Sequence, residues 1–134
     1  KSLDEIKKYA FSPEILLPID AAMHGTKILD IGPETIKEYV KIIRGAKTII
    51  WSGPMGMFEK KGFEKGTRAV WKAILANHGA KIVVGGGDTV ASTKLISSLK
   101  SQISNSKNTF ISTGGGAMLG YLSGKKLPGV EVLK

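Results

Sequence analysis

Two runs of three glycines carry most of the chemistry legible in this sequence. Gly85-Gly86-Gly87-Asp88-Thr89 follows the apolar stretch Ile82-Val83-Val84, and Thr113-Gly114-Gly115-Gly116-Ala117 follows Phe110-Ile111; each leads into a helix-like segment. Glycine lets a ligand meet the main chain with no side chain between them, and a helix N-terminus presents unpaired N–H groups at the positive end of its dipole. Together these features make a cradle for phosphate. In the first run Thr89 can donate a hydroxyl and Asp88 can hold Mg2+ that bridges phosphate oxygens. The same residues serve equally as a tight strand-to-helix turn with Asp88 as its N-cap. In the second run Gly114, Gly115 and Gly116 can offer N–H groups to a phosphoryl group passing from donor to acceptor, or simply turn the chain. No Gly-Lys-Ser/Thr follows the first run, so it is not a Walker A loop.

A third turn, Trp51-Ser52-Gly53-Pro54-Met55-Gly56-Met57-Phe58-Glu59, places an apolar wall and then a carboxylate after another strand-like run. Such a wall covers a base while Glu59 accepts hydrogen bonds from ribose hydroxyls. Core packing is the competing role for Met55, Met57 and Phe58. His24 and His78 stand isolated, without a partner at metal-ligand spacing, and no Ser/His/Asp set or paired-carboxylate motif supports hydrolase chemistry.

The elements that must position these turns follow from periodicity. Ser2 and Glu5 have capping-box spacing, which predicts a short first helix closed by Pro13. Ile15-Leu16-Leu17-Pro18-Ile19 reads as a buried parallel strand, with Pro18 marking an edge or strand end. Gly32-Pro33-Glu34 opens the clearest helix, which carries Ile36, Tyr39, Val40 and Ile43 on one face and stops at Arg44-Gly45. Lys47–Trp51, Lys81–Val84 and Thr109–Ser112 read as strands. A helix carrying Phe63, Thr67, Val70, Trp71, Ile74 and Leu75 ends near Asn77-His78-Gly79; another follows Thr89 through Ala91, Leu95 and Leu99. The polar stretch Ser97–Asn108 predicts a surface loop, and the final helix carries Met118, Leu119 and Leu122 before Gly124. Gly53 and Gly85 lie 32 residues apart, and Gly85 and Gly114 lie 29 apart. Both intervals match the roughly 30 residues of a βα unit. The prediction is an α/β fold with a parallel sheet and helices on both faces, all three glycine turns converging on one crevice at the strand C-termini.

Composition sets the remaining bounds. A chain of 134 residues with 42% apolar content fits one domain. Without cysteine there is no disulfide and no thiolate metal site, and no apolar run approaches the roughly 20 residues of a membrane span. A cytoplasmic setting is therefore expected. The first residue is Lys1, which favours a fragment or a processed chain over an intact gene product. The formal charge of +9 attracts polyanions, but the lysines are scattered without an aromatic-studded stripe of the kind that stacks on bases.

Leu17-Pro18-Ile19-Asp20, Leu29–Thr35, Trp51–Glu59, Gly85–Thr89, Ser112–Ala117 and Lys126–Val130 resemble, in order, segments of the phosphoglycerate kinase family. The resemblance spans essentially the whole chain and falls in the latter part of that family's C-terminal, nucleotide-binding domain. It implies a three-layer α/β/α Rossmann-like sheet, with residues 1–134 forming a portion of that domain and the N-terminal substrate domain absent. The implied activity is phosphoryl transfer between 1,3-bisphosphoglycerate and ADP, with Mg2+, in glycolysis. The partners are then ADP or ATP, together with 3-phosphoglycerate held by the missing domain; no membrane or nucleic-acid partner is implied. By motif match, Asp88 contacts the metal and nucleotide, Thr89 the nucleotide phosphates, and Gly86 and Gly87 line the loop. Glu59 binds ribose, Leu29, Pro54 and Met57 border the adenine or its sugar, and Gly114, Gly115 and Gly116 stabilise the transferring group.

The chain departs from the family pattern in several places. Ser52 stands where the family usually has asparagine, which changes one nucleotide contact although serine can still hydrogen-bond, and Ile28 stands where it often has glycine. Between Met23 and His24 the family usually carries a longer excursion, so a natural deletion or an omitted loop is expected there. The family's early C-domain segment with its phosphate-binding lysines is also missing, so the chain is expected to be inactive alone. Two other classes compete: a non-catalytic nucleotide-binding module and, from charge only, a basic nucleic-acid binder.

Overall fold

The computed structural model describes residues 15–96 and 107–133. The helix expected near Ser2–Ala10 and most of the polar loop expected at 97–108 lie outside the described residues. The element order is β1 (Ala21–His24), β2 (Lys27–Ile31), α1 (Pro33–Gly45), β3 (Thr48–Ser52), α2 (Lys65–Ala76) and β4 (Lys81–Gly85). It continues through α3 (Gly87–Ala91), a 3-10 turn (Ser92–Leu95), β5 (Thr109–Ser112), α4 (Gly115–Leu122) and α5 (Pro128–Glu131).

The three predicted strands after α1 form one parallel sheet in the order β3-β4-β5. Its register aligns Ile50 with Val83 and Phe110, and Trp51 with Val84 and Ile111. Alternation then sorts the sheet into two faces. Ile49, Trp51, Ile82 and Val84 are buried against Val70, Trp71 and Ile74 of α2. Trp71 is fully buried and meets Trp51 edge to face at 4.7 Å between ring centroids, a geometry worth about 1 kcal/mol beyond area burial. On the opposite face Ile50 and Phe110 remain exposed. The cause is connection order: strands that advance in one direction with right-handed crossovers send both connections to the same face. The 3-10 turn accordingly meets α2, where Trp71 Nε1 donates to Ser92 Oγ at 2.8 Å. Among the described residues the second face is covered at its C-terminal end, where Met118 of α4 packs on Gly85.

Ile15–Ile19 is not a strand, contrary to expectation. These residues are exposed and pair with no strand. Pro18 has no N–H to give to a ladder, and the N–H groups of Ile19 and Asp20 go instead to Thr35 Oγ1, at 3.0 and 3.1 Å. The hairpin β1–β2 was unforeseen. Its two strands pair antiparallel with a bulge between Ala22 and Met23, and Gly25, at φ +59°, turns the chain. The Met23–His24 junction is thus part of a tight hairpin with no excursion.

The strong helix α1 begins as the sequence predicts but ends by another device. Its N-cap residue Gly32 has no side chain to offer, and Asp20 caps the helix from 14 and 15 residues upstream. One Asp20 oxygen accepts the Glu34 N–H at 2.9 Å; the other accepts the Thr35 N–H at 2.8 Å and the Thr35 hydroxyl at 2.6 Å. At the other end Gly45 is the last helical residue and does not take a left-handed conformation. Asn77, just past α2, closes the helix by donating from Nδ2 to the carbonyls of Ile43 and Ala46, both at 2.8 Å. Helix α4 does end as predicted: Gly124, at φ +80°, donates to Tyr121 O while Lys125 N donates to Gly120 O, the paired bonds of a Schellman motif.

Candidate functional site

All three glycine turns lie at the C-terminal ends of adjacent parallel strands, and they touch. The first and second are joined by the Gly53 N–H, which donates to Thr89 Oγ1 at 2.7 Å. The second and third are joined by the Gly86 N–H, which donates to Ser112 O at 3.1 Å. Gly115 packs so closely on the second turn that a Cβ there would lie 2.7 Å from the Gly86 Cα. Only glycine tolerates that approach. Gly53 and Gly86 both adopt φ +101°, where any side chain is strained. Over Gly87 and Gly116 there is open space.

The second turn feeds α3, whose Gly87, Asp88 and Thr89 amides open the helix; the first bond of the helix runs from Val90 N to Gly86 O at 3.0 Å. The first N–H groups of a helix have no partner within it. Asp88 is exposed beside them. Thr89, by contrast, is 1% exposed. Its neighbour Ser92 accepts from Trp71 and donates to Thr89 O at 2.7 Å. The third turn leads into α4, whose N-cap is Gly114; Met118 N returns to Gly114 O at 2.7 Å.

The first turn continues into an apolar cleft of about 820 Å3 between the hairpin, the segment preceding it and Met55–Met57. Leu29 and Met57 both line it, as expected of a base wall, and the Met57 N–H donates to Leu29 O at 2.7 Å. Met55 also lines it, whereas Ser52, Pro54 and Glu59 lie outside its lining. Ser52 and Glu59 are exposed. Phe58 is buried instead, with the Lys94 ammonium 5.2 Å from its ring centre, so its role is packing.

Asp30 was not singled out from the sequence. It is 2% exposed, lines the cleft, and accepts the N–H groups of Ile31 and Gly66, both at 2.8 Å. Burial raises its carboxyl above the usual aspartate range, against the lowering effect of those N–H groups. Gly56 and Gly66 press so close to it that neither has room for a Cβ. The available signal was a carboxylate inside the apolar run Ile28-Leu29-Asp30-Ile31. Thr67 completes the support by accepting the Met55 N–H at 3.1 Å. Among the described residues no side-chain polar atom is buried without a partner, and no cluster of three metal-ligating side chains occurs.

A phosphoglycerate kinase family model matches residues 4–125. Curated phosphoglycerate kinases are similar in sequence. That of Rhodococcus erythropolis is 47% identical over 121 residues, covering 89% of this chain and 29% of that protein. That of Mycobacterium leprae is 46% identical over 129 residues, covering 95% of this chain and 30% of that protein. Among solved structures, phosphoglycerate kinase from Coxiella burnetii superposes with a TM-score of 0.66 at 41% identity, covering 81% of this chain and 26% of that one. The enzyme from Pyrococcus horikoshii OT3 gives 0.66 at 39%, covering 80% and 24%. This chain spans less than a third of the length of these relatives. With a family match across most of its length and a parallel sheet that joins its glycine turns at one edge, the chain belongs to the phosphoglycerate kinase family.

Proposed function

We propose that this chain supplies part of a Mg-nucleotide site for phosphoryl transfer between 1,3-bisphosphoglycerate and ADP. The observation that carries this reading is the direct contact of all three glycine turns at one sheet edge, next to an apolar cleft. The adenine lies against Leu29 and Met57, with Pro54 and Ser52 at the border toward the phosphates and Glu59 accepting from the ribose hydroxyls. The phosphates lie over Gly86 and Gly87, where the opening amides of α3 face them. Thr89, in the first turn of α3, contacts the nucleotide phosphates and also accepts the Gly53 N–H. Gly114, Gly115 and Gly116 stabilise the group being transferred, whose acceptor is a carboxyl oxygen of the partner substrate. Loose phosphoryl transfer needs positioning and charge neutralisation above all, and main-chain amides held rigid by packing provide both.

The donor set fits Mg2+ of the kind that travels with a nucleotide. One exposed carboxylate, Asp88, stands beside uncovered glycine backbone, and Mg2+ takes its remaining ligands from phosphate oxygens and water. When bound, the ion neutralises phosphate charge. In this reading residues 1–134 are a portion of the nucleotide domain, 3-phosphoglycerate is held by a second domain, and the setting is glycolytic and cytoplasmic.

Calorimetry with Mg-ADP tests the site. Saturable binding to the 134-residue chain is expected, weakened about tenfold or more by Asp88→Ala. Binding that is absent, or indifferent to Asp88 and Mg2+, overturns the reading. No turnover of 3-phosphoglycerate and ATP is expected from the chain by itself.

A further inference from the structure

We infer that Met118 is a positioning residue: its thioether, seated over Gly85, aims the opening amides of α4 at the group being transferred. The inference rests on the nucleotide reading above and deepens it. Two contacts between α4 and the end of β4 carry it.

The first joins a side chain to the main chain. Met118 is the buried residue of α4, at 9% exposure, while Leu119, Tyr121 and Leu122 of the same helix are exposed. Its Sδ and Cε fill the space that a Cβ on Gly85 would need, so the helix sits in a notch that glycine leaves open. An unbranched thioether adapts well to such an irregular gap. Gly85 lies in β4 and takes no positive φ, so turning the chain does not account for a glycine there. The glycine triplet thus divides its work. Gly85 receives Met118, Gly86 makes the turn at φ +101°, and Gly87 leaves open space for a ligand. The second contact is Gly115 against the Gly86 backbone.

Gly115 and Met118 are three residues apart and therefore share one face of α4. A short helix held at one point can swing about it; held at two points a turn apart, its axis is fixed. The first-turn amides of α4 have no partner within the helix and point along that axis. The Met118 N–H closes the same turn on Gly114 O at 2.7 Å, so side chain and amide act together.

A residue that works this way leaves a signature that general packing does not. Mg-ATP carries the group that is transferred and reaches the third turn, whereas Mg-ADP lacks it. Loosening the pin weakens the first ligand and spares the second.

The test is calorimetry with Mg-ATP and Mg-ADP on the full chain, in wild type, Met118→Ala and Met118→Leu. The alanine variant is expected to bind Mg-ATP about fivefold more weakly, the worth of one ordinary hydrogen bond, with Mg-ADP within about twofold. Leucine, of similar volume, should restore Mg-ATP. Equal weakening of both ligands overturns the inference, because Met118 is then a packing residue only; unchanged Mg-ATP binding overturns it too. Amide exchange supplies a readout that needs no ligand. In the alanine variant the Met118 position is expected to exchange faster while Ile82 and Val84 in β4 keep their protection, and an unaltered rate sinks the proposal. If wild type binds neither nucleotide, the nucleotide reading fails, and exchange still decides whether this side chain holds the turn. Met118 lies outside the core that the sheet forms with α2. Should the alanine variant nevertheless not fold, Gly85→Ala is decisive: by displacing the thioether it should weaken Mg-ATP selectively, and no selective loss overturns the claim.

Discussion

Asp20 and Asp30 are both embedded in backbone N–H groups, yet the fold moves their acidities in opposite directions. Asp20 is held below the ordinary aspartate range, first by the Thr35 hydroxyl and then by the Glu34 and Thr35 amides. Asp30 is pushed up by burial. Linkage gives opposite signs. Asp20 contributes stability that is present above its unfolded value and lost as pH falls through its lower folded value. Asp30 contributes most when protonated, below its unfolded value, and loses that contribution as pH rises through its folded value. Urea midpoints measured from pH 6 down to about pH 3 should therefore fall less steeply for Asp20→Asn than for wild type, because the variant has no carboxyl to titrate at the α1 cap. An identical slope for the two proteins would exclude Asp20 as a source of acid sensitivity. Neither carboxylate's job was legible in the sequence. Asp20 reaches 14 residues forward and Asp30 reaches 36, to the start of α2, and such partners are chosen by the folded chain alone.

At the scale of elements, a recurring device is a hydroxyl at a helix start that pins a loop. Thr35 holds the segment before the hairpin, Thr67 holds Met55, and Thr89 holds Gly53. All three threonines are buried, and each occupies the first or second turn of its helix. This explains why apolar periodicity located α1, α2 and the sheet strands while misplacing Ile15–Ile19. Periodicity reports which face an element hides; it does not report which partner satisfies its backbone, and here that partner was a side chain. The glycine turns follow the same logic. Gly115 and Gly116 are adjacent in one helix start, but a Cβ on Gly115 would collide with the Gly86 backbone, whereas one on Gly116 meets open space. Gly115→Ala should cost about 1–3 kcal/mol of stability. Gly116→Ala should be neutral or gain up to about 1 kcal/mol from helix propensity. Chemical denaturation of the two variants checks this, and equal effects would mean that the third turn does not pack on the second.

For the whole molecule, one consequence of three parallel strands advancing in a single direction is an apolar row on the less covered face. Ile50, Val83 and Phe110 are cross-strand neighbours there, with Ile50 at 51% and Phe110 at 64% exposure. Contiguous exposed apolar surface promotes association. The double variant Ile50→Lys, Phe110→Lys is therefore expected to keep a thermal midpoint close to that of wild type, to bind less of a hydrophobic dye, and to sediment with less self-association. A large loss of stability would show instead that this face is packed in the folded chain. Among the described residues no helix is long and apolar enough to cross a membrane.

From the sequence alone came the parallel α/β class, the positions of the glycine turns and their meeting at one edge. These follow from local facts, since a strand period, a helix period and a 30-residue interval are all written along the chain, and the handedness of crossovers converts them into topology. The family resemblance was legible for the same reason: its motifs are contiguous stretches. What only the tertiary structure decided is how the turns are fastened together. The bond from the Gly53 N–H to the Thr89 hydroxyl, the burial of Asp30 beneath the cleft and the backbone contact of Gly115 with Gly86 are relations between residues about 30 or more positions apart. Such pairings are set by sheet register and close packing, which no local pattern encodes.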